Sequence, residues 1–250
     1  MREWGLPIDG ELRRVVVVSP HLDDAVLGCG RFLSAHPGAT VVTVFAGNPP
    51  KYPEPMRVWD VQSGFAPRDD VMETRRNEDD AALACVGATP VHLDLIEYTY
   101  NPGDVAVPPD VIAESLAPTL AALDPTLVLA PFGLANPDHD MTHRACMLTR
   151  DRLPDHVSWW CYEDMGYKHI PGMLAWRVSK LFRSELWPTP MVVPTVVDHD
   201  RKRAAIECYQ SQLGPLNRDH ALAARIGGAV PEQFWQLAPP PPGWERMRDA

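Results

Sequence analysis

Apolar and polar positions follow two alternating rhythms along the first two thirds of the chain. Val15-Val16-Val17-Val18 is an unbroken β-branched run, the pattern of a strand buried on both faces in a parallel sheet. Ala25 to Ala35 has helical spacing and ends near Pro37-Gly38. Thr40 to Phe45 repeats the buried-strand pattern, and a polar, proline-rich loop follows from Gly47 to Arg68. Val71 to Val86 reads as a helix with Gly87 as its C-cap. Val91 to Leu95 reads as a third strand, and Pro108 to Leu123 as a helix disturbed at Pro118. Thr126 to Ala130, Asp140 to Leu153 and Val157 to Tyr162 continue as strand, helix and strand. Beyond Glu163 the rhythm weakens. Ser179 to Val197 suggests two antiparallel strands, Asp200 to Leu213 a helix, and 239–250 an extended surface tail. Strands alternating with helices predict an α/β, Rossmann-like fold. The expectation is one domain over 1–250, with a mostly parallel sheet flanked by helices and a small antiparallel extension near the C-terminus.

Charge narrows the partners. Lys plus Arg is 23 against 33 for Asp plus Glu, a formal net charge of -10. No basic stripe survives that balance, so nucleic acid is not an expected partner. No apolar run approaches the ~20 residues of a membrane span, and Met1-Arg2-Glu3-Trp4 lacks the apolar core of a signal peptide. A cytoplasmic location is expected. The five cysteines form no C-x-x-C pair, which favours reduced thiols over a disulfide framework.

The candidate chemistry lies at predicted strand ends, where open α/β sheets bind ligands. After the first strand comes Ser19-Pro20-His21-Leu22-Asp23-Asp24. After the fourth comes Gly133 to His143, with His139, His143, Asp138 and Asp140. Strands one and four are neighbours in the doubly wound order, so both clusters converge. Two imidazoles and a carboxylate make a three-ligand zinc site with one open position, and a second carboxylate beside it serves as general base. Taken singly, His21 can pair locally, and Asp23 or Asp24 can cap the helix that follows. His143 lies one turn after His139, so it can ligate a metal, support a ligand or meet substrate. Gly28-Cys29-Gly30 lacks the third glycine of a dinucleotide fingerprint, and no G-x-S-x-G elbow occurs.

Pro20-His21-Leu22-Asp23-Asp24-Ala25-Val26-Leu27-Gly28 resembles the P-H-[PL]-D-D-E-x-x-G signature of the LmbE-like (PIG-L type) zinc-dependent N-deacetylases. Asn136-Pro137-Asp138-His139 resembles their H-P-D-H segment, and Arg75-Arg76-Asn77-Glu78 their R-x-x-E helix. Tyr162-Glu163-Asp164-Met165 and Ala204 to Leu213 resemble two later segments. The resemblance implies His21, Asp24 and His139 as metal ligands, Asp23 as general base, and Arg75 as a sugar contact. It implies Zn2+, with Fe2+ or Co2+ as other divalent candidates, and hydrolysis of a non-peptide amide on an N-acetylglucosamine-type conjugate. Ala25 replaces a motif glutamate that is neither ligand nor base. Asn136 replaces a histidine that helps stabilise the oxyanion; its amide still donates a hydrogen bond but carries no positive charge. Asn136 and His143 are therefore the two candidates for that task.

Weaker candidates complete the expected site. Trp59, in the long loop, can stack on a sugar or act as a hydrophobic latch. Asp94 can meet a sugar hydroxyl or cap a turn. Glu78-Asp79-Asp80 reads as a solvated helix face apart from an Arg75 to Glu78 pair, and Trp159-Trp160 as core. The expected substrate is a small-molecule glycoconjugate with a bulky group beyond the sugar, from antibiotic tailoring. A thiol-conjugate amidase and a catalytically silent sugar-binding protein are the alternatives.

Overall fold

The computed structural model describes residues 14–191, 199–223, 232–240 and 242–244. The elements are β1 (Val15–Ser19), α1 (Asp24–Ala35), β2 (Thr40–Thr43), α2 (Val58–Gln62), α3 (Val71–Val86), β3 (Thr89–His92), α4 (Pro109–Leu123) and β4 (Leu127–Pro131). They continue as α5 (Pro137–Arg150), β5 (Ser158–Tyr162), α6 (Met173–Arg183), β6 (Trp187–Met191), α7 (His199–Glu207), α8 (Gln210–His220) and β7 (Phe234–Ala238). The sheet order is β3-β2-β1-β4-β5-β7-β6. The first five strands run parallel, and β7 pairs antiparallel with both β5 and β6. The expected α/β class with a C-terminal antiparallel extension is present.

The valine run is central because each side chain has a buried face to enter. Val15 and Val17 pack with α1 residues such as Val26 and Phe32 on one side of the sheet. Val16 and Val18 pack with Ile112 and Leu116 of α4 on the other. Trp159 and Trp160 split between the same two cores, each 3% exposed.

Several boundaries differ from expectation. Helix α5 starts at Pro137, not Asp140. The Asn136 side chain accepts the Asp138 N–H as N-cap and Pro137 takes the first helical position, a combination that favours an earlier start. Helix α4 runs through Pro118 to Leu123. The long loop contains α2. The segment expected to hold two antiparallel strands from Ser179 holds the end of α6 and the single strand β6; 192–197 lies outside the described residues. Its strand partner β7 comes instead from near the C-terminus. Pro188 and Pro190 sit two residues apart on β6, the sheet edge, where a missing N–H leaves no ladder bond unmade. The helix expected over Asp200 to Leu213 breaks between α7 and α8. Buried Tyr209 takes a non-helical φ −80, ψ 57, and its hydroxyl donates to Asp79 Oδ1 at 2.7 Å. Of the expected tail, Pro241 and 245–250 lie outside the described residues, and Trp244 packs edge-on against Trp187 at 5.5 Å. No helix among the described residues is long and apolar enough to cross a membrane.

Candidate active site

Parallel pairing of β1 with β4 brings the loops after both strands to one sheet edge. After β1 the chain turns straight into α1, and the turn is closed by Ser19. Its Oγ accepts the Ala25 N–H at 3.0 Å and donates to the His21 carbonyl at 2.7 Å. Asp23 occupies the N-cap position of α1, yet its side chain makes no capping bond. Its carboxylate, 8% exposed as a residue, is therefore not spent on the helix.

Asp24 joins the two loops. Its Oδ2 accepts the His21 backbone N–H at 3.0 Å and lies 3.3 Å from His21 Nδ1 and 3.1 Å from His139 Nε2. One ligand atom each from His21, Asp24 and His139 falls within 4.8 Å of the others. The far nitrogen of each imidazole meets another carboxylate. His21 Nε2 lies 3.0 Å from Asp138 Oδ2, and His139 Nδ1 lies 2.5 Å from Asp164 Oδ1. Asp138 is held in turn by the Tyr98 N–H at 3.0 Å, and Asp164 by the Leu134 N–H at 3.2 Å. Histidines that bind metals are commonly fixed in this way from behind, so the donor set fits a divalent cation.

Electrostatics agree with the geometry. Burial opposes protonation of His139, but Asp24 and Asp164 raise its pKa to about 9. Desolvation likewise opposes His21, which Asp138 and Asp24 raise well above the ordinary value. Burial would lift the Asp24 carboxyl, but His139 and His21 hold it far below the usual range. Asp23 moves oppositely: burial, then the charge of Asp24, push it well up. Adjacent carboxyls pushed in opposite directions are suited to different roles.

His21, Asp23, Asp24, Asp138 and His139 line a cavity of about 490 Å³. Asn136, Arg75 and Trp59 also line it, while Asp94 and His143 are not among its lining residues. Asn136 Oδ1 accepts the Asp138 N–H at 2.8 Å, and its Nδ2 donates to the Tyr167 hydroxyl at 3.3 Å. Arg75 donates to Asp60 Oδ1 at 2.8 Å and to the Tyr100 hydroxyl at 3.2 Å. The expected Arg75 to Glu78 pair does not form. Glu78 instead accepts the Ser211 N–H and hydroxyl at the start of α8. Nor is Glu78-Asp79-Asp80 wholly solvated, because Asp79 is buried under Tyr209 and His92. The Trp59 indole donates to Gln212 Oε1 at 2.8 Å. Asp94 makes a β-bridge with Phe45 beside Gly47, where an added Cβ would lie 2.8 Å from it. The His143 ring has Nδ1 2.9 Å from the Pro131 carbonyl. Burial and Arg177 depress its pKa to about 3. A Cβ on Gly133, at φ +76, would meet the His143 Cβ at 2.6 Å, so the loop passes His143 at a distance only glycine permits.

Asp164, Tyr167, Asp60, Gln212 and His220 also belong to the site or its support, and none was singled out for it by sequence pattern. Asp164 stood inside the Y-E-D segment, a signal that identified the segment without giving the residue a task.

Comparisons with known proteins bear on the family and the fold. The family model described as PIG-L, GlcNAc-PI de-N-acetylase, matches residues 16–149. No curated protein sequence matches the chain. Among solved structures, the A40926 pseudoaglycone deacetylase Dbv21 is 27% identical, with a TM-score of 0.73 over 92% of this chain and 98% of its own. A deacetylase of the teicoplanin biosynthetic pathway is 26% identical, with a TM-score of 0.71 over 92% of this chain and 100% of its own. GalB, the 4-carboxy-2-hydroxymuconate hydratase from Pseudomonas putida, shares the fold at 18% identity and a TM-score of 0.55, over 92% of this chain and 97% of its own. The family match covers more than half of the chain and includes the loops that carry Asp23, Asp24 and His139; the chain belongs to the PIG-L family of de-N-acetylases.

Proposed function

We propose that this chain is a zinc-dependent N-deacetylase that hydrolyses the acetamide of an N-acetylglucosamine-type conjugate in antibiotic biosynthesis. The observation that carries the reading is the convergence of His21, Asp24 and His139 beside an Asp23 carboxylate free of capping duty. Two imidazoles and one carboxylate suit zinc, with Fe2+ and Co2+ compatible with the same donors. The bound ion would supply Lewis acidity toward the amide carbonyl and acidify water in the same site. Asp23 accepts the proton of the attacking water and returns it to the leaving amine. Its raised pKa brings a carboxylate closer to the range where both transfers proceed near neutrality. Asn136 is the favoured donor to the developing oxyanion, because it lines the cavity and His143 does not. His143, neutral and tied to Pro131, holds the loop after β4 against α5. Arg75 and Trp59 face the sugar, while Asp94 shapes the loop after β2. The antibiotic assignment rests on the named activities of Dbv21 and the teicoplanin-pathway deacetylase. GalB supports keeping fold and activity as separate questions. All five cysteines are free thiols, in keeping with a cytoplasmic setting.

The test is acetate release from an N-acetylglucosamine glycoside by metal-loaded protein. Stoichiometric acetate and amine are expected. Tight sugar binding without acetate would support the silent sugar-binding alternative instead.

A further inference from the structure

A second cavity, about 540 Å³, opens on the other side of Asn136 and Tyr167. It shares Tyr98, Asn136, Gly166, Tyr167 and His220 with the cavity that holds Asp23. The two are thus neighbours that share a wall. The Tyr167 ring stands edge-on between His139 at 5.1 Å and His220 at 5.2 Å, so it forms the partition between the candidate metal centre and the outer groove. The inner cavity is charged, with Asp60, Arg75 and Glu97 in its wall. The outer groove adds an apolar strip of Ala135, Pro137, Ile170 and Pro171, with His169 and Asp219 also in its wall, and Ile170 leaves 40% of its surface in solvent. An exposed isoleucine beside two prolines, next to a reaction cavity, suits the apolar part of a substrate whose polar part lies inside.

We propose that this outer groove is the subsite for the aglycone: an apolar or aromatic group attached to the sugar lies against Ile170, Pro171 and the outer face of Tyr167. The inference rests on the deacetylase reading and extends it to what the substrate carries. An acetyl group has two carbons and needs no groove of this size, so the space belongs to the other end of the substrate. His220, with His169 and Asp219, gives the groove a polar side. The His220 Nδ1 lies 3.1 Å from the Gly166 carbonyl. When Nδ1 donates there, Nε2 remains an acceptor for a hydroxyl on the ligand.

The experiment compares kcat/KM for 4-methylumbelliferyl and methyl N-acetylglucosaminides in the wild type and in Ile170→Asp. The partial exposure of Ile170 favours folding of the variant, which a melting curve checks. Ile170→Ala serves if Ile170→Asp does not fold. The wild type should prefer the aryl glycoside, and the aryl-to-methyl ratio should fall on the order of tenfold in Ile170→Asp, the scale of a lost apolar contact in a pocket. A ratio unchanged by the substitution overturns the assignment. So does a selective loss against longer N-acyl chains, which would give the groove to the acyl group. Fluorescence titration with the 4-methylumbelliferyl glucosaminide product supplies a readout independent of turnover. Weaker binding to Ile170→Asp with no acetate release by either protein would retain the groove while removing the deacetylase reading. Equal binding to both proteins would overturn the groove itself.

Discussion

Asp164 Oδ1 lies 2.5 Å from His139 Nδ1, on the side of the ring opposite Asp24. Asp164 is fully enclosed and also accepts the Leu134 N–H, so one carboxylate fixes both the imidazole and the loop after β4. Asp164→Ala should therefore weaken metal binding without removing a ligand. Losing such a partner typically costs 10–100-fold in affinity. Competition with a chelating indicator measures it, and an unchanged dissociation constant would leave Asp164 as a loop anchor only.

Asp24 stands between both histidines, and Asp24→Ala should abolish stoichiometric metal. A metal bound only by the folded chain stabilises it by about 2.7 kcal/mol at ~100 times Kd. The metal-dependent rise in Tm should thus disappear in this variant. His143→Ala should keep most of its metal. Equal metal loss in His143→Ala and His139→Ala would show that the ligand set is incomplete.

Arg75 and Asp60 form a buried pair, their side chains 6% and 3% exposed. Asp60→Ala leaves the guanidinium with only the more distant Glu97, 3.9 Å away, and should cost up to about 3 kcal/mol, the lower end of the range for a broken buried pair. Denaturant titration reads this directly. Because Asp60 lies on α2, the variant should also raise KM for the sugar more than it lowers kcat. A small stability change with normal KM would remove α2 from the account.

His143 gives the pH dependence of stability. Its folded pKa of about 3 lies below the ordinary value of 6.5. The unfolded chain therefore binds the extra proton between these values. Stability is full above pH 6.5 and declines as pH falls toward 3. At pH 5.5 the loss from this residue should be about 1.4 kcal/mol. His143→Asn should flatten the stability profile over that interval, as measured by urea unfolding at a series of pH values. An unaltered slope would mean that other groups carry the acid sensitivity.

In the parallel half of the fold, β1 and β2 were legible as buried β-branched runs, and β4 and β5 as short, mostly buried apolar runs. The neighbouring ends of β1 and β4 then brought His21, Asp24 and His139 together as the sequence suggested. Elements fixed by distant partners were not legible. Strand β7, Phe234–Ala238, exists through its ladders with β5 and β6, and its five residues carry no strong pattern alone. The break before α8 depends on Tyr209 reaching Asp79 and on Glu78 receiving Ser211, two contacts across more than a hundred residues. Asp138 and Asp164 were visible as motif letters, but their tasks depend on which ring nitrogen each one meets.

Asp23 bears the central claim. It lies beside Asp24 on the cavity wall, is free of capping bonds, and has a raised pKa. Asp23→Asn keeps the shape and removes the proton acceptor. The decisive measurement is kcat for acetate release by this variant at full metal occupancy. General-base contributions are typically 10²–10⁴-fold, so a loss of at least ~100-fold with metal content unchanged and a smaller change in KM is expected. An Asp23→Asn protein with full metal and near-normal kcat would contradict the account.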